Sequence, residues 1–507
     1  MTTTIPELLA AGEDDAPAIL TPGGPALTFA ELRRQVRGLA GQLAACGIGP
    51  GDRVGIVLPN GPAAAIAFLA VAGCATAAPL HPAYREEEFR FYLDDLGAKA
   101  LITLPDGVPA AHAAAPREAQ RLSLVGEPGR YLLLRDGVAV EAAEARLASP
   151  EDVALVLHTS GTTARPKIVP LTQRNLAISA QSIIRSLALT AEDRCLNVMP
   201  LFHIHGLMAA LLSSLAAGGS VVCTPGFDVF RFFVWLDEAQ PTWYTAVPTM
   251  HQLVLSRAAR HADVLARSRL RFVRSSSAAL PPTVMAELES TFRAPVIEAY
   301  GMTEASHQMA ANPLPPGGRK PGSVGRGAGV DVAIMDDEGD LLVPGRTGEV
   351  VIKGGNVTAG YENNPQANEA SFTSGWFRTG DQGYVDEDGY LFLTGRIKEI
   401  INRGGEKVSP REVDEVLLQH PAVAQAVAFA MPHKRLGEEV AAAVVLHEGA
   451  SADERELREH AARHLADFKV PKTILILPDI PKGPTGKVQR IGLAEKLGLS
   501  TLRVRGD

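Results

Sequence analysis

A loop crowded with hydroxyl groups follows a short apolar stretch near residue 155. Leu155-Val156-Leu157 predicts a buried strand, which runs into His158-Thr159-Ser160-Gly161-Thr162-Thr163-Ala164-Arg165-Pro166-Lys167. Glycine lets the backbone approach an anion, and hydroxyl and amide groups donate to phosphate oxygens. Arg165 and Lys167 can offset the charge of a triphosphate. The spacing is not that of a Walker loop, so we predict a phosphate-binding loop of another kind, with a polar turn as the plainer alternative.

Further segments, in order along the chain, match motifs of one enzyme superfamily. The loop resembles the signature loop of the AMP-forming adenylating superfamily, which includes acyl-CoA synthetases, luciferases and adenylation domains of peptide synthetases. The nucleotide, ribose, hinge and catalytic-lysine motifs of that superfamily are similar to Tyr300-Gly301-Met302-Thr303-Glu304, Ser374–Asp381, Gly395–Glu399 and Pro481–Lys487. The resemblance implies an enzyme that uses ATP to form an acyl-adenylate, releases pyrophosphate, and then transfers the acyl group to coenzyme A.

The resemblance also implies which residues surround the nucleotide. Glu304, with Thr159, is expected to bind Mg²⁺, because oxygen ligands suit this hard cation, and Thr303 is expected to contact the α-phosphate. Asp381 and Arg396 are expected to hold the ribose. The remaining nucleotide contacts are expected from Ala278, Ala279, Glu298, Tyr300, Gly301 and Met302. Taken alone, Glu304 has a common alternative as a solvated acid at a helix start, and Tyr300 is equally well a core residue.

The C-terminal motifs imply a mobile catalytic segment. Lys487 is expected to contact the substrate carboxylate and the α-phosphate from a flexible loop. In the superfamily the small C-terminal domain rotates between the two half-reactions about the position that matches Lys398. Gly404 and Gly405 match the loop that lines the passage for the pantetheine arm of coenzyme A, where glycine permits close approach. A simple turn is the alternative for these glycines.

Three polar positions bear on the carboxylate that is activated. His203, Ser277 and His307 lie in stretches that resemble oxalate-activating members of the superfamily, where residues at these positions hold oxalate. Oxalate must bury a second carboxylate beside the reacting one, and imidazole and hydroxyl groups can pair it. Three other readings stay open: a short- or medium-chain or aryl acyl-CoA synthetase, an adenylating enzyme with a carrier protein or amine as acceptor, and a nonenzymatic nucleotide-binding regulator.

These motifs require a scaffold of alternating strands and helices. Thr28 and Glu31 predict a capped helix start, and Arg53–Leu58 predicts a buried strand, an alternation typical of α/β proteins. We expect a large N-terminal adenylation domain over residues 1–397, with stacked mixed sheets, helices and a β-rich subdomain. A small mobile α+β domain is expected over residues 398–507. The Ala-, Pro- and Gly-rich stretch from Pro105 to Glu127 predicts a variable surface connection.

The amino-acid composition limits the kinds of partner that the protein can bind. The 507 residues carry a net charge of -8, which argues against a dedicated nucleic-acid binder. The four cysteines lack the close spacing of a metal or redox motif and predict buried thiols. No secretory signal is visible, and Ala63–Leu80 predicts a buried helix followed by a strand, not a membrane span. We therefore expect a cytoplasmic enzyme, monomer or homodimer, whose partners are a small carboxylate, ATP and coenzyme A.

Overall fold

The computed structural model describes residues 2–159, 166–482 and 488–499. The chain divides into two compact units. The first consists of Met1–Leu280, Val284–Val332 and Ile352–Phe377, and the second of Pro281–Thr283, Ala333–Val351 and Arg378–Asp507. The functional division expected at Lys398 concerns rotation between two reaction steps and stays a prediction.

The first unit contains a nine-stranded sheet. Its order is Arg326–Gly327, His307–Ala311, Val296–Met302, Phe272–Ser275, Trp243–Ala246, Arg194–Asn197, Ser220–Cys223, Pro17–Leu20 and Ala26–Thr28. The strands from Val296–Met302 through Pro17–Leu20 are parallel neighbours. Their apolar side chains pack against helices around Phe232, Tyr244 and Phe292. Parallel strands are covered on both faces, which explains their nearly continuous apolar runs.

An eight-stranded sheet forms the second layer of this unit. Its order is Lys167–Thr172, Val153–Thr159, Thr76–Pro79, Arg53–Ile56, Ala100–Thr103, Gln120–Val125, Leu132–Arg135 and Val138–Ala139. The prediction of a surface connection over 105–127 is wrong, because part of this stretch is buried in a sheet. That stretch forms the helix Pro109–Ala114 and the strand Gln120–Val125, which buries Leu122 and Leu124. Both leucines point to one face because side chains alternate along a strand.

Helices cover and separate the two sheets. The helix Phe29–Ala45 begins with the predicted capping box of Thr28 and Glu31, and Pro62–Cys74 is buried almost all round. Gln173–Leu187 packs against strands of both sheets, so it lies between the layers. Within the described ranges, no helix has the length and apolarity to cross a membrane. The other α-helices of four or more residues in this unit are Ile5–Leu8, Glu86–Leu96, Ser213–Ala216, Phe232–Ala239, Pro248–Ala258, Ala262–Arg267, Pro282–Phe292 and Pro365–Ser371.

The predicted β-rich segment is a five-stranded sheet. Its strands are Asp331–Met335, Gly348–Lys353, Phe372–Thr373, Trp376–Val385 and Leu391–Arg396. Leu391–Arg396 pairs antiparallel with Trp376–Val385 and brings Asp381 opposite Arg396. The β-rich prediction is therefore confirmed.

The C-terminal segment has α+β architecture. Its sheet has the order Glu406–Val408, Ile401–Arg403, Gly437–Leu446 and Val423–His433, with Thr473–Ile476 pairing parallel to Gly437–Leu446. The helices Pro410–Leu417 and Glu454–His464 pack on this sheet, and Leu493–Lys496 closes a second small core. Arg490 donates to both carboxylate oxygens of buried Asp414, at 3.2 and 2.5 Å. This ion pair joins the last part of the described chain to the first helix of the segment.

All four cysteines are free and buried, as the sequence predicted. Burial raises the pKa of each thiol, to about 12 for Cys74 and Cys223. These thiols are structural core groups.

Candidate active site

The candidate site lies where parallel strands of the nine-stranded sheet end. The strands Arg194–Asn197, Trp243–Ala246, Phe272–Ser275 and Val296–Met302 run in the same direction, so their carboxyl ends meet at one edge. In open α/β sheets this edge is where ligands bind. His203, Ser277 and Thr303 each follow one of these strands.

A largely buried polar network links two of the predicted substrate residues. Nδ1 of His205 lies 3.0 Å from Oγ of Ser277, and Nε2 of His205 lies 2.7 Å from Oγ1 of Thr245. The ring of His205 also stacks on the ring of His307, with centroids 4.9 Å apart and planes inclined by 23°. Ser277 and His307, which are 30 positions apart in sequence numbering, are therefore joined through a histidine that the predictions did not single out.

Arg274 extends this network into the core. Its side chain is fully buried, with Nη1 3.4 Å from both His205 Nε2 and Thr245 Oγ1. Nη2 donates to Oε1 of Gln308 at 3.2 Å. Gln308 is itself oriented, because its Nε2 donates to Oγ of Ser186 at 2.8 Å. A guanidinium thus lies next to the polar wall of the site, by which we mean His205, Ser277 and His307.

His307 occupies a demanding backbone position. It is 1% exposed and adopts a φ of 93°, in the left-handed region that side-chain-bearing residues rarely visit. A Cβ on Gly301 would lie 1.8 Å from the carbonyl oxygen of His307, so the nucleotide motif needs glycine there. The strand pairing of Met302 with His307 links the nucleotide motif to the polar network of His205 and Ser277.

His203 is half-buried at the end of its loop. The backbone N–H of His205 donates to Nδ1 of His203 at 3.2 Å. A neutral imidazole that accepts at Nδ1 carries its proton on Nε2, so this ring presents Nε2–H as a donor. His205 begins the π-helix His205–Leu212, a local widening that is frequent at functional sites.

Glu304 is held by a tyrosine. It lies in the short 3₁₀ turn Thr303–Ala305 and is 6% exposed, and Oε1 accepts from the hydroxyl of Tyr361 at 2.8 Å. The ammonium of Lys167 lies 4.2 Å from the centroid of the Tyr361 ring, a cation–π geometry. Thr159 pairs with Lys167 across the antiparallel strands, at the edge of the described part of the loop.

The donor chemistry of Glu304 and Thr159 fits Mg²⁺. A carboxylate and a hydroxyl are hard oxygen ligands, and Mg²⁺ in nucleotide sites is usually held by one or two protein groups plus phosphates and water. Among the described residues no cluster of three or more His, Cys, Asp or Glu side chains is arranged as a metal site. These two residues therefore do not resemble a metal site whose ligands all come from the protein.

The remaining predicted nucleotide residues lie in the strand Val296–Met302 and in the loop that follows the strand Phe272–Ser275. Tyr300 is 8% exposed, Gly301 and Met302 are half-buried, and Ala278 and Ala279 are exposed. Glu298 is buried and accepts from the backbone N–H of Leu280 at 3.0 Å, so it orders the loop that carries the two alanines.

The predicted ribose residues meet in the second unit. Nε of Arg396 lies 2.9 Å from Oδ1 of Asp381, whose side chain is 7% exposed. Asp381 is further fixed because its N–H donates to Oγ1 of Thr379 at 3.1 Å. Lys398 is exposed in the turn Ile397–Glu399. Gly404 and Gly405 have φ values of 60° and 99° between the strands Ile401–Arg403 and Glu406–Val408, a tight turn that favours glycine.

Several predicted residues lie outside the described part of the chain. They are Ser160, Gly161, Thr162, Thr163 and Lys487. Their assigned roles, like those of the other site residues, stay predictions.

The structure adds residues that sequence reasoning missed, namely Thr245, His205, Arg274, Gln308 and Tyr361. His205 lies two positions after His203, but only His203 was assigned from the sequence. An arginine inside the apolar strand Phe272–Ser275 is the one local signal that was available, since arginine is rarely fully buried without a partner.

Comparisons with known proteins identify the family. Residues 7–362 match the family described as AMP-binding enzyme, and residues 412–487 match the AMP-binding enzyme C-terminal domain. A probable CoA ligase, CCL9, from Humulus lupulus is 50% identical, with 96% of this chain and 94% of that protein covered. An oxalate–CoA ligase from Arabidopsis thaliana is 48% identical, with 94% of each chain covered.

Among solved structures, ATP-bound MatB from Rhodopseudomonas palustris superimposes with a TM-score of 0.89 at 31% identity, covering 98% of this chain and 99% of that one. The fold is therefore that of the adenylate-forming enzymes, with a large N-terminal and a small C-terminal domain. Fold, motifs and family match converge on one conclusion: this chain belongs to the AMP-binding enzyme family.

Proposed function

We propose that this enzyme is an oxalate–CoA ligase, which converts oxalate, ATP and coenzyme A to oxalyl-CoA, AMP and pyrophosphate. The observation that carries the proposal is the polar wall formed by buried His205 and His307 and half-buried Ser277, with Arg274 next to His205. The 48% identity to an oxalate–CoA ligase over nearly the whole chain supports the same substrate.

The composition of this wall favours a small anion over a fatty acid. A pocket for an alkyl chain is lined by apolar side chains, because unsatisfied polar groups facing hydrocarbon cost free energy. Here imidazole, hydroxyl and guanidinium groups cluster within hydrogen-bonding distance of one another. Oxalate brings two carboxylates within one C–C bond, so the carboxylate that does not react needs such partners close to the reaction centre.

In the first half-reaction, an oxygen of one oxalate carboxylate attacks the α-phosphorus of ATP, and pyrophosphate leaves. Negative charge grows on the α-phosphate and the bridging oxygens, so fixed cations and donors stabilise the transition state. Lys167, Thr303 and Lys487 supply these groups in our proposal. Mg²⁺, held by Glu304 and Thr159, would neutralise phosphate charge.

In the second half-reaction, the thiol sulfur of coenzyme A attacks the acyl carbon, the C–S bond forms, and the C–O bond to AMP breaks. We assign the hinge at Lys398 to the rearrangement between the two steps, and the Gly404-Gly405 turn to the passage of the pantetheine arm. Asp381 and Arg396 hold the ribose in both steps. The division into domains 1–397 and 398–507, and a cytoplasmic location, belong to the same proposal.

The test is a substrate panel with two readouts. Pyrophosphate release without coenzyme A measures adenylation, and mass spectrometry with coenzyme A identifies the thioester. We expect oxalate to exceed acetate, glyoxylate, malonate, octanoate and benzoate in kcat/KM. A preference for octanoate or benzoate would instead assign the enzyme to the medium-chain or aryl acyl-CoA synthetases. Adenylation of oxalate without thioester formation would point to another acceptor.

A further inference from the structure

Arg274 is a buried cation with neutral neighbours. Its side chain is inaccessible, and among the described residues its hydrogen-bonding partners are Thr245, His205 and Gln308, none of them a carboxylate. Burial lowers the pKa of Arg274 to about 9, so the guanidinium keeps its charge at neutral pH. A buried charge without a counter-ion costs free energy of folding. The position of Arg274 next to the site therefore suggests a functional reason for keeping it.

The hydrogen-bond directions follow from what arginine can do. A guanidinium only donates, so Nη1 of Arg274 donates to Oγ1 of Thr245 and faces Nε2 of His205. A proton on Nε2 would point at this donor, and a doubly protonated ring would add a second positive charge beside it. Both arrangements are unfavourable. Thr245, which accepts from Arg274, then donates its own hydroxyl to Nε2 at 2.7 Å.

The proton of His205 therefore belongs on Nδ1, where the acceptor is Oγ of Ser277 at 3.0 Å. A serine hydroxyl that accepts from an imidazole keeps its own hydrogen for another acceptor. The opposite tautomer would reverse this, because Ser277 would then donate to Nδ1 and turn only lone pairs towards a ligand. The tautomer of His205 thus decides whether Ser277 attracts or repels a carboxylate.

We propose that Arg274 is a positioning residue that holds His205 as the neutral Nδ1–H tautomer, and thereby turns the Ser277 hydroxyl towards the non-reacting carboxylate of the substrate. The identity of that carboxylate rests on the proposed function. The tautomer does not, since it follows from the hydrogen bonds within the protein. Arg274 also adds positive charge behind the pocket, which favours a dianion over a monoanion of the same size.

The first test measures the tautomer directly. The full chain, labelled with ¹⁵N-histidine, is studied by NMR that correlates ring nitrogens with ring protons, and His205 is identified from the signal lost in His205→Gln. We expect the Nδ1–H tautomer in the wild type and a shift towards Nε2–H in Arg274→Met. Ser275→Ala is the matched control. Ser275 is the next residue along the same strand, and its buried Oγ has no hydrogen-bond partner among the described residues. A wild-type His205 with its proton on Nε2 would overturn the proposal.

The second test uses steady-state pyrophosphate release with oxalate and with glyoxylate, which lacks the second carboxylate. We expect Arg274→Met to raise KM for oxalate about tenfold or more, with KM for ATP within about twofold. The preference for oxalate over glyoxylate should fall by a similar factor, and Arg274→Lys should restore part of it. An unchanged preference in a folded Arg274→Met would overturn the proposal.

A third pair of variants guards against loss of folding in Arg274→Met. Thr245→Ser keeps the relaying hydroxyl and should retain the oxalate preference, whereas Thr245→Val should lose several-fold of it. Equal preferences in the two variants count against the relay. If the wild type activates another acid and ignores oxalate, the proposed substrate fails, and the NMR measurement still decides the tautomer.

Discussion

The phenolic hydroxyl of Tyr361 donates to Oε1 of Glu304 at 2.8 Å, across 57 positions of sequence. Both side chains are largely buried, so this bond orients the carboxylate proposed to bind Mg²⁺. A hydrogen bond to a charged acceptor contributes about 1.5–3 kcal/mol.

Removing that hydroxyl should weaken the metal site. We expect Tyr361→Phe to raise the Mg²⁺ concentration needed for half-maximal pyrophosphate release about tenfold, with KM for the carboxylate nearly unchanged. Tyr384→Phe is the matched control, because Tyr384 stacks on Phe392 and makes no hydrogen bond through its hydroxyl in the described structure. Equal Mg²⁺ titrations for the two variants would remove Tyr361 from the metal site.

The His307 ring should discriminate between substrates. We expect His307→Asn to raise KM for oxalate about tenfold or more and to leave KM for ATP within about twofold, because the ring stacks on His205 in the polar network proposed to hold the substrate carboxylate. Asparagine tolerates the φ of 93°, whereas His307→Ala adds backbone strain, so the pair separates loss of the ring from strain. Comparable losses for oxalate and ATP in His307→Asn contradict the assignment.

His251 should make the folded protein sensitive to acid. Burial lowers the pKa of His251 to about 3, whereas in the unfolded chain it titrates near its ordinary value of 6.5. Between these values the unfolded state binds more protons, so stability is fully present above pH 6.5 and is lost as pH falls towards 3. This group alone contributes a slope of about 1.4 kcal/mol per pH unit, or about 2 kcal/mol between pH 6.5 and 5.

Urea unfolding at several pH values checks this prediction. The stability difference between the wild type and His251→Gln should narrow by about 2 kcal/mol on going from pH 6.5 to pH 5. A difference that is constant across this range would mean that His251 does not titrate on unfolding.

The C-terminal segment should depend on the pair of Arg490 and Asp414. We expect Arg490→Leu to destabilise the protein by about 3–5 kcal/mol, because it leaves the buried carboxylate without its cation. Burial already raises the pKa of Asp414, and loss of the cation raises it further. The native state of the variant therefore takes up a proton more readily, and its stability deficit should shrink as pH falls.

Chemical denaturation at pH 7.5 and pH 5.5 tests this expectation. Adding Asp414→Asn to Arg490→Leu should recover part of the lost stability, because the buried charge is removed. A double variant less stable than Arg490→Leu alone would show that the carboxylate is satisfied without Arg490.

Local patterns were sufficient for much of the fold. The strand Arg53–Ile56 falls within the stretch predicted from Arg53 to Leu58, and Thr28 caps its helix as its spacing to Glu31 predicted. Residues 105–127 were different, because their Ala, Pro and Gly content outweighed the alternation of Leu122 and Leu124. The composition of residues 105–127 does not show that they fold; the strand Gln120–Val125 forms because it pairs with the neighbouring strands Ala100–Thr103 and Leu132–Arg135.

The site was predictable only as far as motifs reach. His203, Ser277 and His307 were assigned through resemblance, but no local pattern indicates that His205 bridges the last two. That contact exists because separate parallel strands end at one edge, which brings Thr245 and Arg274 to His205 across 40 and 69 positions. Such proximity depends on the order of the strands in the sheet. It cannot be predicted from a short segment of the sequence.

The four buried cysteines have a practical consequence. A thiol that is shielded from solvent and whose pKa is raised does not react with aromatic disulfide reagents at neutral pH. In a reaction mixture of the folded enzyme, coenzyme A is then the thiol that such a reagent titrates. The colour that the reagent gives with free coenzyme A would fall as thioesters form. This decrease would measure thioester formation without a background from the protein thiols.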